Sequence, residues 1–225
     1  MKLLLTNHAI ASPRSHYICA MELPSKLIQD SVDQMSSLPG IGKKTALRLV
    51  LNLLRREEKD VKRFTTSLVQ LKEQIKECIV CHNLSDSQTC SICSSPGRIG
   101  SVVCIVEDIQ DVLAIEGTHQ FQGLYHVLGG IISPIDGVGP SDLHIDSLLS
   151  RLAKGEIKEV ILALSTSMEG ETTSFYLYRK MAAFDIKVSS IARGISHGDE
   201  IQYADELTLG RSITNRVPYE NSLSR

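Results

Sequence analysis

The sequence predicts an α/β protein with an all-α N-terminal part, a small four-cysteine unit, and a mostly parallel sheet flanked by helices. Three observations predict it. Apolar residues recur at helical spacing from Met21 to Ile75, with one break at Leu38-Pro39-Gly40-Ile41-Gly42. Four cysteines follow in CIVCHNLSDSQTCSIC. From Ser101 onward, β-branched runs alternate with helical patterns, as in parallel strands joined by crossover helices.

The 225 residues, 42% of them hydrophobic and 22% charged, suffice for one or two globular cores. No run approaches the roughly 18 apolar residues of a membrane span. The opening MKLLLTNHAIASPRSHYICA is too weakly apolar for a signal peptide. The expectation is a cytoplasmic protein with no membrane association. Net charge is −2, unevenly spread. Between Gly40 and Arg63 eight basic residues (Lys43, Lys44, Arg48, Arg55, Arg56, Lys59, Lys62, Arg63) face three acids (Glu57, Glu58, Asp60), a local net of +5 that leaves −7 for the rest. Such asymmetry suits a polyanion at one end and a cationic partner at the other. A merely solvated helix face is the ordinary alternative.

Residues 1 to 20 show neither strand nor helix periodicity and are expected to form a disordered leader, with Met21 as an alternative translation start. Residues 21 to 77 read as a helical region. Leu27, Ile28, Val32 and Met35 share one face; Ala46, Leu49, Val50, Leu53 and Leu54 form a second stripe; Val61, Phe64, Leu68, Leu71 and Ile75 form a third. All three are read as core. In LPGIGKKTA the glycines permit a tight turn, and the helix after Gly42 opens with free backbone N–H groups that can face an anion. A P-loop would need Gly-Lys-Ser/Thr and a glycine five residues upstream; Lys44 and Ser37 occupy those places. The pattern resembles a helix-hairpin-helix motif, which holds a nucleic-acid backbone through hairpin amides and nearby cations. Gly40, Gly42, Lys43, Lys44 and Arg48 are its candidate DNA-binding residues. An ordinary αα-hairpin turn is the bland alternative.

Residues 78 to 93 read as a zinc unit. Two C-x2-C pairs eight residues apart present Cys78, Cys81, Cys90 and Cys93 to one tetrahedral centre. The short gap favours a compact knuckle or treble-clef-like turn over a long ribbon. Two disulfides would compete, but a reducing compartment disfavours them. His82 could replace one cysteine, although four sulfurs already complete the set. Cys19 and Cys104 are assigned no function; Cys104 lies in an apolar strand. Beyond, SVVCIVED, LYHVLGG, EVILALS and KVSSIAR read as strands, and DVLAIEG and TTSFYLYRKMAAF as helices. Ligands of such sheets gather at the carboxyl ends of the strands. Glu107 and Asp108 end one strand, and Ser165-Thr166-Ser167 ends another.

In this order the motifs closely resemble the RecR family of bacterial recombination mediators. The resemblance spans Met21 to about Tyr219. It is carried by LPGIGKKTALRL, the four cysteines, IVEDIQDVLAIE, YHVLGGIISPIDGVGP, MEGETT and ARGISHGDEIQYADELTL. It implies a Toprim domain over 101 to 195 and a C-terminal region over 196 to 225. It also implies a DNA-repair protein that forms ring-shaped homo-oligomers. With RecO, and in many bacteria RecF, such a protein helps load RecA onto single-stranded DNA coated by single-strand-binding protein. Catalytic Toprim domains hold magnesium with a strand-end glutamate and a later Asp-x-Asp pair. Glu107 matches the first position. Ser165-Thr166-Ser167 stands where the acid pair would be, followed by Glu169-Gly170-Glu171; the RecR family usually has Asn-Pro-Thr there, so this chain departs from it in the same non-acidic direction. Hydroxyls cannot supply the charge that holds the ion. The resemblance therefore implies a non-catalytic protein, with a magnesium-dependent Toprim nuclease or primase-like enzyme as the alternative. Lys44 and Arg48 would contact phosphates, while Glu107, Asp111, Glu169 and Glu171 would form an acidic rim for a basic partner. Capping and solvation are the ordinary roles for Asp111 and Glu171.

Overall fold

The computed structural model describes residues 25–196 and 198–220; the leader expected over residues 1–20 lies outside them. The chain divides into two units, up to Val69 and from Gln70, with the division inside a long helix.

In the first unit, α1 (Lys26–Ser36), α2 (Lys43–Leu54) and the start of α3 (Glu58–Gln74) follow one another. Helices α1 and α2 bury Val32, Ala46 and Val50 against each other, with Ile28, Met35, Ile41 and Leu47 partly covered. The turn between them needs Gly40, whose φ of +78° is a left-handed conformation that costs a residue with a Cβ about 1 kcal/mol. Gly42 is the extended N-cap of α2 and brings no capping side chain, so the first amides of α2 lack a side-chain acceptor.

The third apolar stripe is not core. Helix α3 buries no residue, and Leu68 and Leu71 are 51% and 58% exposed. On α2, Leu49 and Leu54 are likewise exposed. The physical reason is that α1 and α2 satisfy each other through one small contact centred on Ala46, which leaves the remaining apolar positions uncovered. Leu53, Leu54, Val61 and Leu68 line an open cleft instead.

The second unit opens with a hairpin of β1 (Lys76–Glu77) and β2 (Leu84–Ser85), then a single turn of helix, α4 (Ser91–Ser94). The elements β3 (Ile99–Val106), α5 (Ile109–Gly117), β4 (Gly123–Val127), α6 (Ile145–Leu152), β5 (Glu159–Leu162), α7 (Met168–Met181), β6 (Lys187–Ser190) and α8 (Glu206–Thr214) follow. Four strands form one sheet in the order β4-β3-β5-β6, every pair parallel. Alternation along β3 builds two cores. Val103 and Ile105 face Ile145, Leu148, Leu152, Leu177 and Met181 of α6 and α7; Cys104 and Val106 face Val112 of α5, with Ile92 of α4 packed alongside. Both faces of the sheet are covered, as a parallel sheet requires.

Two helical details differ from expectation. Helix α6 was hidden because its eight residues follow the Gly- and Pro-rich GGIISPIDGVGPSDL, which reads as loop. Helix α7 starts at Met168 rather than near Thr172 because Ser167 caps it, its Oγ accepting from Gly170 N at 3.1 Å. Gly170, a poor helix former, masks that start; a Cβ there would lie 2.1 Å from Ser165 O, so the close approach of loop and helix demands glycine.

Leu148 is fully buried and Leu113 is 64% exposed. Leu148→Ala is expected to cost about 2–5 kcal/mol of stability in urea titration, and Leu113→Ala no more than about 0.5 kcal/mol. Equal losses would place the core elsewhere.

Candidate metal centre and strand-end face

The β1–β2 hairpin turns through the first cysteine pair: Cys78 N donates to Asn83 O at 2.8 Å, and His82 N to Cys78 O at 2.9 Å. Cys90 caps α4, its Sγ accepting from Cys93 N at 3.4 Å, while Cys90 N donates to Cys78 Sγ at 3.3 Å. All four sulfurs lie within 4.8 Å of one another. Cys81 Sγ and Cys90 Sγ are 3.6 Å apart. A disulfide would need about 2.05 Å, whereas a tetrahedral ion with Zn–S bonds of about 2.3 Å sets sulfurs about 3.8 Å apart. The donor set fits zinc. Cys78, Cys81 and Cys90 are buried. Burial pushes Cys90 up, and a hydrogen bond with Cys93, then burial, pushes Cys81 up. Burial opposes ionisation of Cys78 too, but the Cys90, Val80 and Cys81 amides bring it down to about 7. Four thiolates cannot share so small an apolar space without a cation between them.

The site is braced from the sheet side. Val127 N, at the end of β4, donates to Cys81 O at 2.8 Å. Arg151 of α6 donates to Tyr125 O at 2.8 Å; burial lowers its pKa and the four cysteines raise it again, so this cation faces their negative charge. His82 does not join the sulfurs. Its ring stacks on His144 with centroids 3.7 Å apart, and Nε2 meets Ser147 Oγ at 2.8 Å. Cys104 is buried in β3 with its thiol pushed up to about 12, an inert apolar filler.

At the strand ends, β3 delivers Glu107 and the neighbouring β5 leads into Ser165. Burial first, then the charges of Asp111 and Asp108, raise the Glu107 carboxyl. Asp111 is engaged as a cap partner, accepting from Glu107 N at 3.1 Å and Asp108 N at 3.4 Å. Glu171 is paired with Arg193, and Arg211 lies 3.9 Å away. Glu169 sits in the first turn of α7. Ser165 and Ser167 meet through their hydroxyls at 3.1 Å. Among the described residues two groups of three or more ligating side chains converge, the four cysteines and Glu77-His82-His144; these strand-end acids are in neither.

In the first unit, Lys43, Lys44 and Arg48 are exposed. The three acids of the basic segment pair locally, Lys59 with Glu57, Lys62 with Glu58 and Arg63 with Asp60. Among the described residues, Lys43, Lys44, Arg48, Arg55 and Arg56 have no acidic partner, so the local +5 resides on α2 and its C-terminal end. Lys44, Arg48 and Arg55 line one shallow cleft of about 300 Å³. The sequence reading missed the Glu77-His82-His144 group, because sequence separation hid His144 from the hairpin. It also missed Arg98, which pairs with Glu116 while Glu116 accepts from Tyr125 Oη at 2.7 Å.

A parallel sheet of this order, acids at its strand ends and a closed four-thiolate centre packed beside it define a Toprim-type protein with a structural zinc. Comparison of the sequence with known proteins narrows this further. Family models match for the RecR helix-hairpin-helix over residues 28–72, the RecR four-cysteine zinc finger domain over 75–95, the Toprim domain over 101–192 and the RecR C-terminal part over 194–217. The chain is 58% identical to recombination protein RecR of Bacteroides thetaiotaomicron over 202 residues, 90% of this chain and 98% of that one. It is 58% identical to that of Parabacteroides distasonis over 196 residues (87% and 94%) and 54% to that of Flavobacterium johnsoniae over 202 (90% and 98%). The chain belongs to the RecR family of recombination proteins, and its four cysteines hold a structural zinc.

Cys90→Ser is expected to abolish the tightly held zinc, and chelation of the unaltered protein to remove much of the roughly 10–16 kcal/mol that such centres contribute. Metal analysis after dialysis, with thermal unfolding followed by circular dichroism, checks both. Disulfide-paired cysteines and no zinc in protein purified under reducing conditions would contradict the assignment.

Proposed function

We propose that the protein is a cytoplasmic DNA-binding recombination mediator and not an enzyme. It acts as a ring-shaped homo-oligomer with a RecO-like partner, and with RecF where that protein is present, to help RecA replace single-strand-binding protein on single-stranded DNA. Family membership supports the role in recombinational repair. The observation that carries the DNA reading is the set of five cations without acidic partners along α2 and just past its C-terminal end, with Lys43 and Lys44 at an N-terminus that has no side-chain cap. Labour divides along the chain. Residues 21–77 bind DNA through the Gly40–Gly42 turn, Lys43, Lys44 and Arg48; residues 78–93 hold zinc; the Toprim region 101–195 offers an acidic face; residues 196–225 complete the C-terminal part. On that face Glu107 and Glu169 meet the basic partner, while Asp111 and Glu171 add charge from their capped and paired positions. Hydroxyls at Ser165, Thr166 and Ser167 support the absence of magnesium chemistry.

For single-stranded DNA each neutralised phosphate contributes about 0.7 to the slope of log affinity against log salt. The double variant Lys44→Ala/Arg48→Ala is therefore expected to flatten that slope by about 1.4 per engaged subunit, alike for different base sequences. An unchanged slope in a folded variant moves DNA binding off α2. Glu107→Ala and Glu169→Ala are expected to weaken RecO binding and RecA loading, measured by displacement of single-strand-binding protein, with DNA binding unchanged. Loss of a magnesium-dependent nicking activity in either variant would instead establish the enzyme reading.

A further inference from the structure

The hairpin that carries Cys78 and Cys81 carries a second set of ligating groups on its outer side. Glu77 ends β1, His82 follows Cys81, and His144 precedes α6. Glu77 Oε2 lies 3.5 Å from His82 Nδ1 and 3.5 Å from His144 Nε2.

Proton bookkeeping fixes what these atoms present to one another. Ser147 Oγ donates its one proton to His144 O at 2.9 Å. The hydroxyl must therefore accept from His82 Nε2, 2.8 Å away, which places the His82 proton on Nε2 and a lone pair on Nδ1. His144 Nδ1 lies 3.1 Å from Val127 O, and a carbonyl can only accept, so Nδ1 carries a proton and the neutral ring has its lone pair on Nε2. With both rings neutral, two imidazole lone pairs and a carboxylate oxygen face one another. Left alone, three electron-rich atoms in this arrangement repel. A cation placed between them reverses the sign of every contact.

The distances agree with an ion. At 3.5 Å the contacts are too long for good N–H···O hydrogen bonds. Zinc bonds of about 2.0–2.1 Å to nitrogen and oxygen set tetrahedral ligands about 3.4 Å apart. Each imidazole also has its other nitrogen held by an oxygen, the arrangement that orients histidines on metals. His82 sits at a φ of +60°, a left-handed value uncommon outside glycine but one that histidine, like asparagine and aspartate, adopts more readily than other residues. The rings are stacked, 15° from parallel, so binding one ion requires both to swing out of the stack until their lone pairs converge.

We propose that Glu77, His82 and His144 form a second metal site for a zinc-class divalent ion, separate from the four-cysteine centre. Three protein ligands leave the fourth position open, and the Glu77 side chain, 57% exposed, puts the site within reach of solvent. The ion is exchangeable, unlike the buried one, and clamps the zinc hairpin to the start of α6.

Protein with its four-cysteine centre loaded is dialysed against micromolar zinc at neutral pH and, in parallel, titrated with cobalt(II). The wild type is expected to take up a second equivalent. Its cobalt form should show weak visible bands without added thiolate-to-metal charge transfer. His144→Ala and Glu77→Gln should each lose the second equivalent and keep the first. Ser147→Ala should weaken it about 10- to 100-fold, because it releases the His82 ring. His82→Asn, which suits the left-handed backbone, gives a folded variant that should also bind one equivalent. A wild type that stops at one equivalent would overturn the proposal. So would a second equivalent that persists undiminished in His144→Ala, or a His144→Ala protein that loses both, since that side chain would then serve the cysteine centre.

Discussion

The closure of four thiolates around one ion is the constraint on which the second unit depends. Residues 76–95 supply too little apolar area to fold alone: besides the cysteines, Asn83 is the buried residue of that hairpin among those described. The ion replaces the missing core. Once the sulfurs are held, the hairpin presents Cys81 O to Val127 N and α4 presents Ile92 to the sheet. Arg151 then lies where a cation offsets the excess negative charge of the tetrathiolate. Zinc here acts through geometry and charge, not through chemistry on a substrate.

The strand-end face obeys the opposite logic. A parallel sheet gathers helix N-termini and strand carboxyl ends at one edge, which is why such edges hold ligands. Here the groups that would draw in a hard cation are spoken for or absent. Asp111 satisfies the amides of Glu107 and Asp108, Glu171 is paired with Arg193, and Ser167 caps α7. Glu107 has its carboxyl raised by burial and by neighbouring acids.

Much of this was legible in the sequence. Cysteine spacing fixed the metal set because tetrahedral ligation by two C-x2-C pairs has few alternatives, and β-branched runs gave the four strands because a parallel strand is apolar on both faces. What failed to show was of two kinds. Helix α6 and the start of α7 were hidden where local composition, a Gly- and Pro-rich run and Gly170, opposed the structure that tertiary packing imposes. The α3 stripe was periodic enough to read as core, yet periodicity reports an amphipathic face and not what covers it: Phe64, Leu68 and Leu71 remain exposed. His144 was invisible as a neighbour of His82 because 61 residues of intervening sequence carry no pairing signal.

Hydrogen exchange before and after chelation tests the central claim, that the zinc centre braces the Toprim sheet rather than only its own hairpin. Faster exchange is expected both across residues 76–95 and at the Val127 amide and β4, with α1 and α2 unchanged. Acceleration confined to residues 76–95, with Val127 still protected, would contradict it.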